Sequence, residues 1–140
     1  MWLQIQDSVE RGTDREVYFV ESGGWDHHSD MKGSSSTGFQ ELNGALAAFQ
    51  QEMKVKGQWD SVSLVVTSDF ACTLTPKSSN GTDHAWGGNY FVMGGAVDCG
   101  KIHGECPSVI TDDGPYSIGR GRLIPSMSWD SVFRALSVSV

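Results

Sequence analysis

The sequence predicts an α/β protein with a mainly parallel sheet and flanking helices. The chain has 140 residues, of which 39% are hydrophobic and 10% aromatic, and this is enough for one domain with a packed core. An apolar stretch typical of a strand is followed by a helical pattern and then by a second apolar stretch. This strand, helix, strand order predicts a right-handed crossover between neighbouring parallel strands.

The first three elements carry this prediction. Residues 15–21 (REVYFVE) are rich in aromatic and β-branched residues and predict a strand, which a pair of glycines ends. Residues 61–68 (SVSLVVTS) predict a strand with a continuous apolar centre, as in a parallel sheet covered on both faces. Between them, apolar residues line one face of a helix of about four turns, which Gly57 ends. These residues are Phe39, Leu42, Leu46, Phe49 and Met53.

The rest of the chain adds two strands and a helix. Residues 89–97 (NYFVMGGAV) predict a third strand, and residues 121–126 (GRLIPS) predict a short fourth strand. Residues 128–137 (SWDSVFRALS) predict a helix with Ser128 as its N-cap. The residues before Gly12 are typical of the last turns of another helix. There is no internal repeat or boundary, so residues 1–140 are expected to form one domain.

Charge and hydropathy argue against binding to nucleic acid and against a membrane-spanning segment. Ten basic and 17 acidic residues give a net charge of −7, and no Lys or Arg cluster could neutralise several phosphates, which argues against nucleic acid. No apolar run approaches the roughly 20 residues that cross a bilayer. The start of the chain lacks the pattern of an export signal, and the sequence leaves the compartment open.

Polar side chains follow the predicted strands, where ligands bind in an open parallel sheet. Asp26 and His28 follow the first strand and are two residues apart, so both point to one side of an extended segment while His27 points away. Asp69 follows the second strand, and His84 lies in the long loop that leaves the same end. Oxygen and nitrogen ligands of this kind suit Zn²⁺, Mn²⁺ or Fe.

The polar and aromatic residues near the predicted strand ends also have simpler interpretations. An Asp-x-His in a surface loop is more often a hydrogen-bonding group than a metal site. Trp25 and Trp86 would cover the end of the sheet. Arg120 and Arg122 are best explained as a solvated pair, with an anion clamp as the alternative.

Four stretches of the sequence resemble a known family. They are GGWDHHSD, LNGALAAFQQEMKVKGQWDSVSLVVTSDF, GTDHAWGGNYFVMGGAVDCGKIHGECP and GRGRLIPSMSWDSVFRAL. Together they are similar to the C-terminal half of a widespread bacterial domain of unknown function, family 1501. Its members typically read Gly-Gly-Phe-Asp-Thr-His, Ser-Glu-Phe-Gly-Arg-Thr, Asp-His-Gly-Trp-Gly and Gly-Arg-Gly. That family is grouped with the alkaline phosphatase and sulfatase superfamily, and many members carry an export signal.

The resemblance implies a partial alkaline-phosphatase-like fold and a metal-dependent hydrolase of phosphate or sulfate esters, with a small anionic ester as substrate. Its ligands for zinc or manganese would be Asp26, His28, Asp69 and His84. Asp83 would bridge or support these ligands, and His27 and Trp86 would lie around them.

Two departures from the superfamily limit this inference. Phe70 stands where its hydrolases carry a His, which argues against a full second metal site. The superfamily's nucleophile comes from an earlier strand, so the resemblance implies a truncated domain that is inactive alone and can self-associate through an exposed sheet edge. The alternative is a non-catalytic binding or structural module, in which the Asp and His residues only form hydrogen bonds.

Overall fold

The computed structural model describes residues 11–12 and 15–138, which form two helices and four short strands. The helices are α1 (Met31–Val55) and α2 (Asp130–Val138), with a 3₁₀ turn at Trp59–Ser61 between α1 and the first strand. The strands are β1 (Ser63–Val66), β2 (Ala71–Cys72), β3 (His84–Ala85) and β4 (Phe91–Gly94). The helix expected before Gly12 falls mainly on residues outside this description.

Helix α1 provides the small hydrophobic core. Phe49 and Met53 are its buried side chains, with 4% and 1% of their surface exposed. Their spacing of four residues places them on one face of the helix. Gly57, at a φ of +67°, follows the end of α1, as the sequence predicts. Four half-buried hydrophobic residues pack against this pair: Tyr18, Trp59, Val62 and Leu64.

The strands form two separate antiparallel pairs. In one pair β1 lies beside β4, with Ser63 opposite Gly94 and Val66 opposite Phe91. In the other pair β2 lies beside β3, with Cys72 opposite His84. The chain therefore leaves β1, turns back on itself as the β2–β3 pair and then returns to β1 through β4.

The predicted fold class is wrong, because both sheets of the described chain are two-stranded and antiparallel. The expected mainly parallel sheet, and with it a partial alkaline-phosphatase-like fold, is absent there. Residues 15–21 have no regular secondary structure, and Val17 and Phe19 are 96% and 85% exposed. An apolar pattern identifies a segment that suits a strand, but it does not specify the partner or the direction of pairing. The predicted partner of β1 is replaced by β4.

The other predictions have mixed outcomes. The strands expected at residues 61–68 and 89–97 are confirmed as β1 and β4, and the helices predicted around Phe39 to Met53 and at residues 128–137 are present as α1 and α2. The strand expected at residues 121–126 is wrong, since the only pairing there is an isolated bridge between Ser117 and Leu123. Pro125 cannot donate a backbone hydrogen bond to a strand partner. None of the described helices has the length and apolar character needed to cross a bilayer.

Candidate functional site

Backbone hydrogen bonds join the loop before α1 to the long loop between β2 and β3, which is distant in sequence. The amide of Thr82 donates to the carbonyl of His27 at 2.9 Å, and the amide of Met31 donates to the carbonyl of Asn80 at 3.0 Å. Gly81 makes the close approach possible, because a Cβ at this position would lie 2.0 Å from the carbonyl carbon of His28. The long connection between β1 and β4 therefore returns to the segment that precedes α1.

This contact brings a carboxylate and two imidazoles together. Oδ1 of Asp26 lies 3.0 Å from Nε2 of His28 and 3.0 Å from Nε2 of His84. Ligand atoms of all three residues lie within 4.8 Å of one another, and all three residues are exposed. The two imidazole rings are stacked, with centroids 5.6 Å apart. We call Asp26, His28 and His84 the Asp/His cluster.

The orientation of His28 is fixed from the side opposite Asp26. Its Nδ1 lies 2.9 Å from the carbonyl oxygen of Thr82, which can only accept a hydrogen bond. Lys77 Nζ lies 3.4 Å from the same Nδ1 and would need it as an acceptor. We assign the proton to Nδ1, because a ring lone pair would be repelled by the carbonyl at the shorter distance. In the neutral ring, Nε2 then presents its lone pair to Asp26.

His84 is held by its neighbours in the β2–β3 pair. It lies opposite Cys72 at the start of β3, and its ring stacks on Phe70 with centroids 4.2 Å apart and planes 23° apart. The side chain of Phe70 supports an imidazole of the Asp/His cluster.

Asp83 lies next to the cluster but interacts with cations. Its Oδ1 forms an ion pair with Lys77, and its Oδ2 lies 2.7 Å from Nη2 of Arg120. The hydrogen bond from Lys77 lowers the pKa of Asp83 below its ordinary value of 3.8. Burial partly opposes this effect, and the charges of Lys77 and Arg120 reinforce it. Asp83 therefore carries a negative charge shared between two positively charged side chains.

A cavity of about 440 Å³ opens beside the cluster. Its lining combines two imidazoles, two guanidinium groups, a carboxylate and a hydroxyl. The residues are His28, Thr73, Asp83, His84, Arg120 and Arg122. The cavity is large enough for a small ligand and places cationic groups next to the imidazoles of the cluster.

The other predicted site residues lie outside the cluster. Asp69 is exposed in the turn between β1 and β2, and it does not belong to the group of metal-ligand atoms that the described residues form. His27 is half-buried, and its Nε2 is buried without a hydrogen-bond partner in the described structure. Trp86 is 64% exposed. Trp25 packs against Phe39 of α1, with ring centroids 5.1 Å apart.

Sequence reasoning missed two contributors to the site and gave a third too little weight. Lys77 and the carbonyl of Thr82 lie in a loop without periodicity, and no local pattern indicates that they face His28. Arg120 is predicted to be solvated, and its side chain is 64% exposed, but it also contacts Asp83. Its position between two glycines, where a left-handed backbone is accessible, is a signal that could have indicated an unusual backbone at Arg120.

Asp26, His28 and His84 are residue types that bind divalent metal ions, and two of the three separations between their ligand atoms are compatible with one ion. With bonds of about 2.0–2.1 Å, two ligands at neighbouring positions lie roughly 3.0 Å apart in an octahedral site and roughly 3.4 Å apart in a tetrahedral site. The separations of Asp26 from His28 and from His84 are in this range. A metal-binding His usually donates its other ring N–H to a carbonyl or carboxylate, as His28 does to Thr82. Two imidazoles and a carboxylate suit zinc, manganese or iron.

Comparison with known proteins shows a family match. The model of a family described as "Protein of unknown function (DUF1501)" matches residues 8–118. No curated protein and no solved structure matches the chain. The matched region contains the whole Asp/His cluster and ends before Arg120 and Arg122.

Proposed function

The chain belongs to the DUF1501 family of proteins of unknown function, and we propose that Asp26, His28 and His84 bind a divalent metal ion for the hydrolysis of an anionic ester. Phosphate and sulfate esters are the proposed substrates, the substrate class of the alkaline phosphatase and sulfatase superfamily. The proposed ion is zinc or manganese. The hydrogen bond from His28 to Thr82 is the observation that supports metal binding most directly.

This hydrogen bond matters because it determines what the opposite ring nitrogen can do. With the proton on Nδ1, a neutral His28 directs a lone pair towards Oδ1 of Asp26, which is 3.0 Å away. Two electron-rich atoms repel each other at this distance unless a positive centre lies between them. The same oxygen is also 3.0 Å from Nε2 of His84. A metal ion bound by all three atoms would remove the repulsion between His28 and Asp26 and would also use the lone pair of His84 Nε2.

A proton is the alternative positive centre, and it defines the second candidate function. The 3.0 Å separations are also ordinary hydrogen-bond distances, so Asp26 can accept an N–H from each imidazole. His28 would then be an imidazolium ion, since its Nδ1–H is already used by Thr82. In that case the cluster joins two loops, and the chain is a non-catalytic binding or structural module.

In the catalytic proposal, the residues around the ion have separate tasks. A bound divalent ion would activate water and polarise a phosphoryl or sulfuryl oxygen. His28 and His84 present nitrogen ligands whose ring positions are set by Thr82 and Phe70. Arg120 and Arg122 attract the anionic ester into the cavity. Asp69 lies outside the Asp/His cluster, and its role as a fourth ligand stays a prediction from the sequence.

Metal-dependent stability tests the proposal. We would record thermal unfolding of the metal-free chain with added Zn²⁺ or Mn²⁺, beside His28→Ala and His84→Ala. His103→Ala is the matched control, because His103 is exposed and outside the cluster. At an ion concentration about 100-fold above Kd, binding to the folded state adds about 2.7 kcal/mol, or several degrees in Tm.

The two candidate functions predict different results. The metal site is supported if metal raises the Tm of the parent and of His103→Ala but not that of His28→Ala or His84→Ala. Elemental analysis should then give one ion per chain. If the parent unfolds cooperatively with no change in Tm and retains no ion after dialysis, the metal site is wrong and the binding or structural module is favoured.

A further inference from the structure

The segment Gly119-Arg120-Gly121 has an unusual backbone next to the Asp/His cluster. All three residues have positive φ angles, of +86°, +58° and +67°, and a residue with a Cβ rarely adopts such an angle. Gly121 fixes the segment, since its carbonyl accepts from the amide of Leu74 at 3.0 Å and its amide donates to Oδ1 of Asp112 at 2.5 Å. Both backbone groups of Gly121 are therefore hydrogen-bonded, and this holds the left-handed backbone of Arg120 and the start of Arg122 in place.

The same turn orients the guanidinium group of Arg122. Its Nε donates to the carbonyl of Gly119 at 3.1 Å, and the amide of Arg122 donates to the same carbonyl at 3.2 Å. Arg122 is half-buried and lines the cavity, and the described residues include no carboxylate that forms an ion pair with it. With Nε occupied, the donors left to Arg122 are its two terminal nitrogens.

Arg120 lines the same cavity, but its charge is already compensated. Its Nη2 lies 2.7 Å from Oδ2 of Asp83, whose other oxygen is paired with Lys77. Arg120 is therefore positioned by Asp83, whereas Arg122 is a cation without an anionic partner in the described structure. The two arginines thus differ in how much attraction each can offer an incoming anion.

We propose that Arg122 binds the terminal oxyanion of a phosphate or sulfate monoester in this cavity, with Arg120 as a second contact held in place by Asp83. This assignment rests on the proposed function for the reaction and names the substrate class of that site. The terminal nitrogens of an arginine match two oxygens of a tetrahedral anion and form charge-assisted hydrogen bonds with both. A monoester has three non-bridging oxygens, two for Arg122 and one for Arg120, whereas a phosphodiester has only two, so a monoester is preferred.

Anion binding to the metal-free chain tests this proposal separately from metal binding. We would remove metal by chelation and dialysis, then titrate the chain calorimetrically with inorganic phosphate and with sulfate at constant ionic strength. The variants are Arg122→Gln, Arg122→Lys and Arg120→Gln. Arg134→Gln, in α2, is the matched control, because Arg134 does not line the cavity. Zinc binding and thermal unfolding of each variant are measured in parallel.

The expected order of affinity distinguishes a guanidinium contact from a general charge effect. The parent and Arg134→Gln should bind at least one of the two anions, with the same affinity in both proteins. Whichever of phosphate and sulfate binds more tightly identifies the ester class. Arg122→Gln should lose about tenfold or more in affinity, and Arg122→Lys should fall between the two because it keeps the charge and loses the paired donors. Arg120→Gln should lose less than Arg122→Gln.

Three results would overturn the assignment. These are no binding of either anion by the folded parent, equal affinities of the parent and a folded Arg122→Gln, or a greater loss for Arg120→Gln than for Arg122→Gln. Retained zinc binding in Arg122→Gln alongside lost anion binding supports separate sites. If the parent binds an anion but no metal ion, the proposed metal-dependent function is wrong and the anion site is still supported.

Discussion

Nδ1 of His28 lies 2.9 Å from the carbonyl oxygen of Thr82, although 54 residues separate them in the chain. The neighbouring contacts between their backbones make this approach possible, and Gly81 lies at its centre. The geometry of the Asp/His cluster therefore depends on how closely two loops can pack, and the first prediction concerns that packing.

Gly81→Ala should destabilise the protein and remove its response to metal. The added methyl group would lie 2.0 Å from the carbonyl carbon of His28, so the two loops must separate. We expect a loss of about 1–3 kcal/mol in the free energy of unfolding, measured with urea. Gly44→Ala is the control, since a Cβ there meets nothing within 4 Å and alanine favours a helix by about 1 kcal/mol. Equal stability of Gly81→Ala and the parent would contradict the close approach.

Phe70→Ala should weaken metal binding without unfolding the chain. Phe70 stacks on the ring of His84 at a centroid distance of 4.2 Å, so its removal leaves that imidazole free to rotate and raises the entropic cost of binding. We expect a roughly tenfold loss in zinc affinity by competition with a chromogenic chelator. Phe133→Ala, in α2, should leave the affinity unchanged. If both variants bind zinc as the parent does, Phe70 has no role in positioning His84.

Lys77→Met should raise the pKa of Asp83 more than Arg120→Gln does, because the hydrogen bond from Lys77 contributes most to the lowered value. Because the pKa of Asp83 is lower in the folded state, its pairing with Lys77 and Arg120 stabilises the protein fully at pH values above the ordinary pKa of 3.8. This stabilisation is lost as the pH falls through the folded-state pKa. Carboxyl chemical shifts recorded from pH 6 downwards would give each pKa. The opposite order of the two variants would show that Arg120 dominates.

Met53→Ala should be among the most damaging single substitutions in the described core. Met53 is 1% exposed and packs with Phe49, so its truncation leaves a cavity at the centre of a small cluster. We expect a loss of about 2–5 kcal/mol. Val55→Ala, two residues further along α1 and 78% exposed, should cost less than about 0.5 kcal/mol. Thermal unfolding of the two variants side by side measures the difference, and similar Tm values would place the core elsewhere.

Local features were predictable because each has a signature within a short window. The helical spacing that ends at Met53 and the glycine after it located most of α1, although the helix begins at Met31, eight residues before the first apolar position used. Apolar runs located β1 and β4 for the same reason. The order of polar residues along the chain also singled out Asp26, His28 and His84, which the structure brings together.

The pairing of strands and the surroundings of the site were decided only by the tertiary structure. The predicted parallel sheet failed because residues 15–21 look like a strand but do not pair, while β1 takes β4 as an antiparallel partner. The contacts of Lys77 and Arg120 with Asp83, and of Phe70 with His84, join residues that no periodic pattern relates. The sequence by itself located α1, α2, β1 and β4 and the residue types that could bind an ion, since those preferences reside in a few consecutive residues. The packing between distant segments determined how these parts are arranged, because pairing energy depends on which surfaces meet.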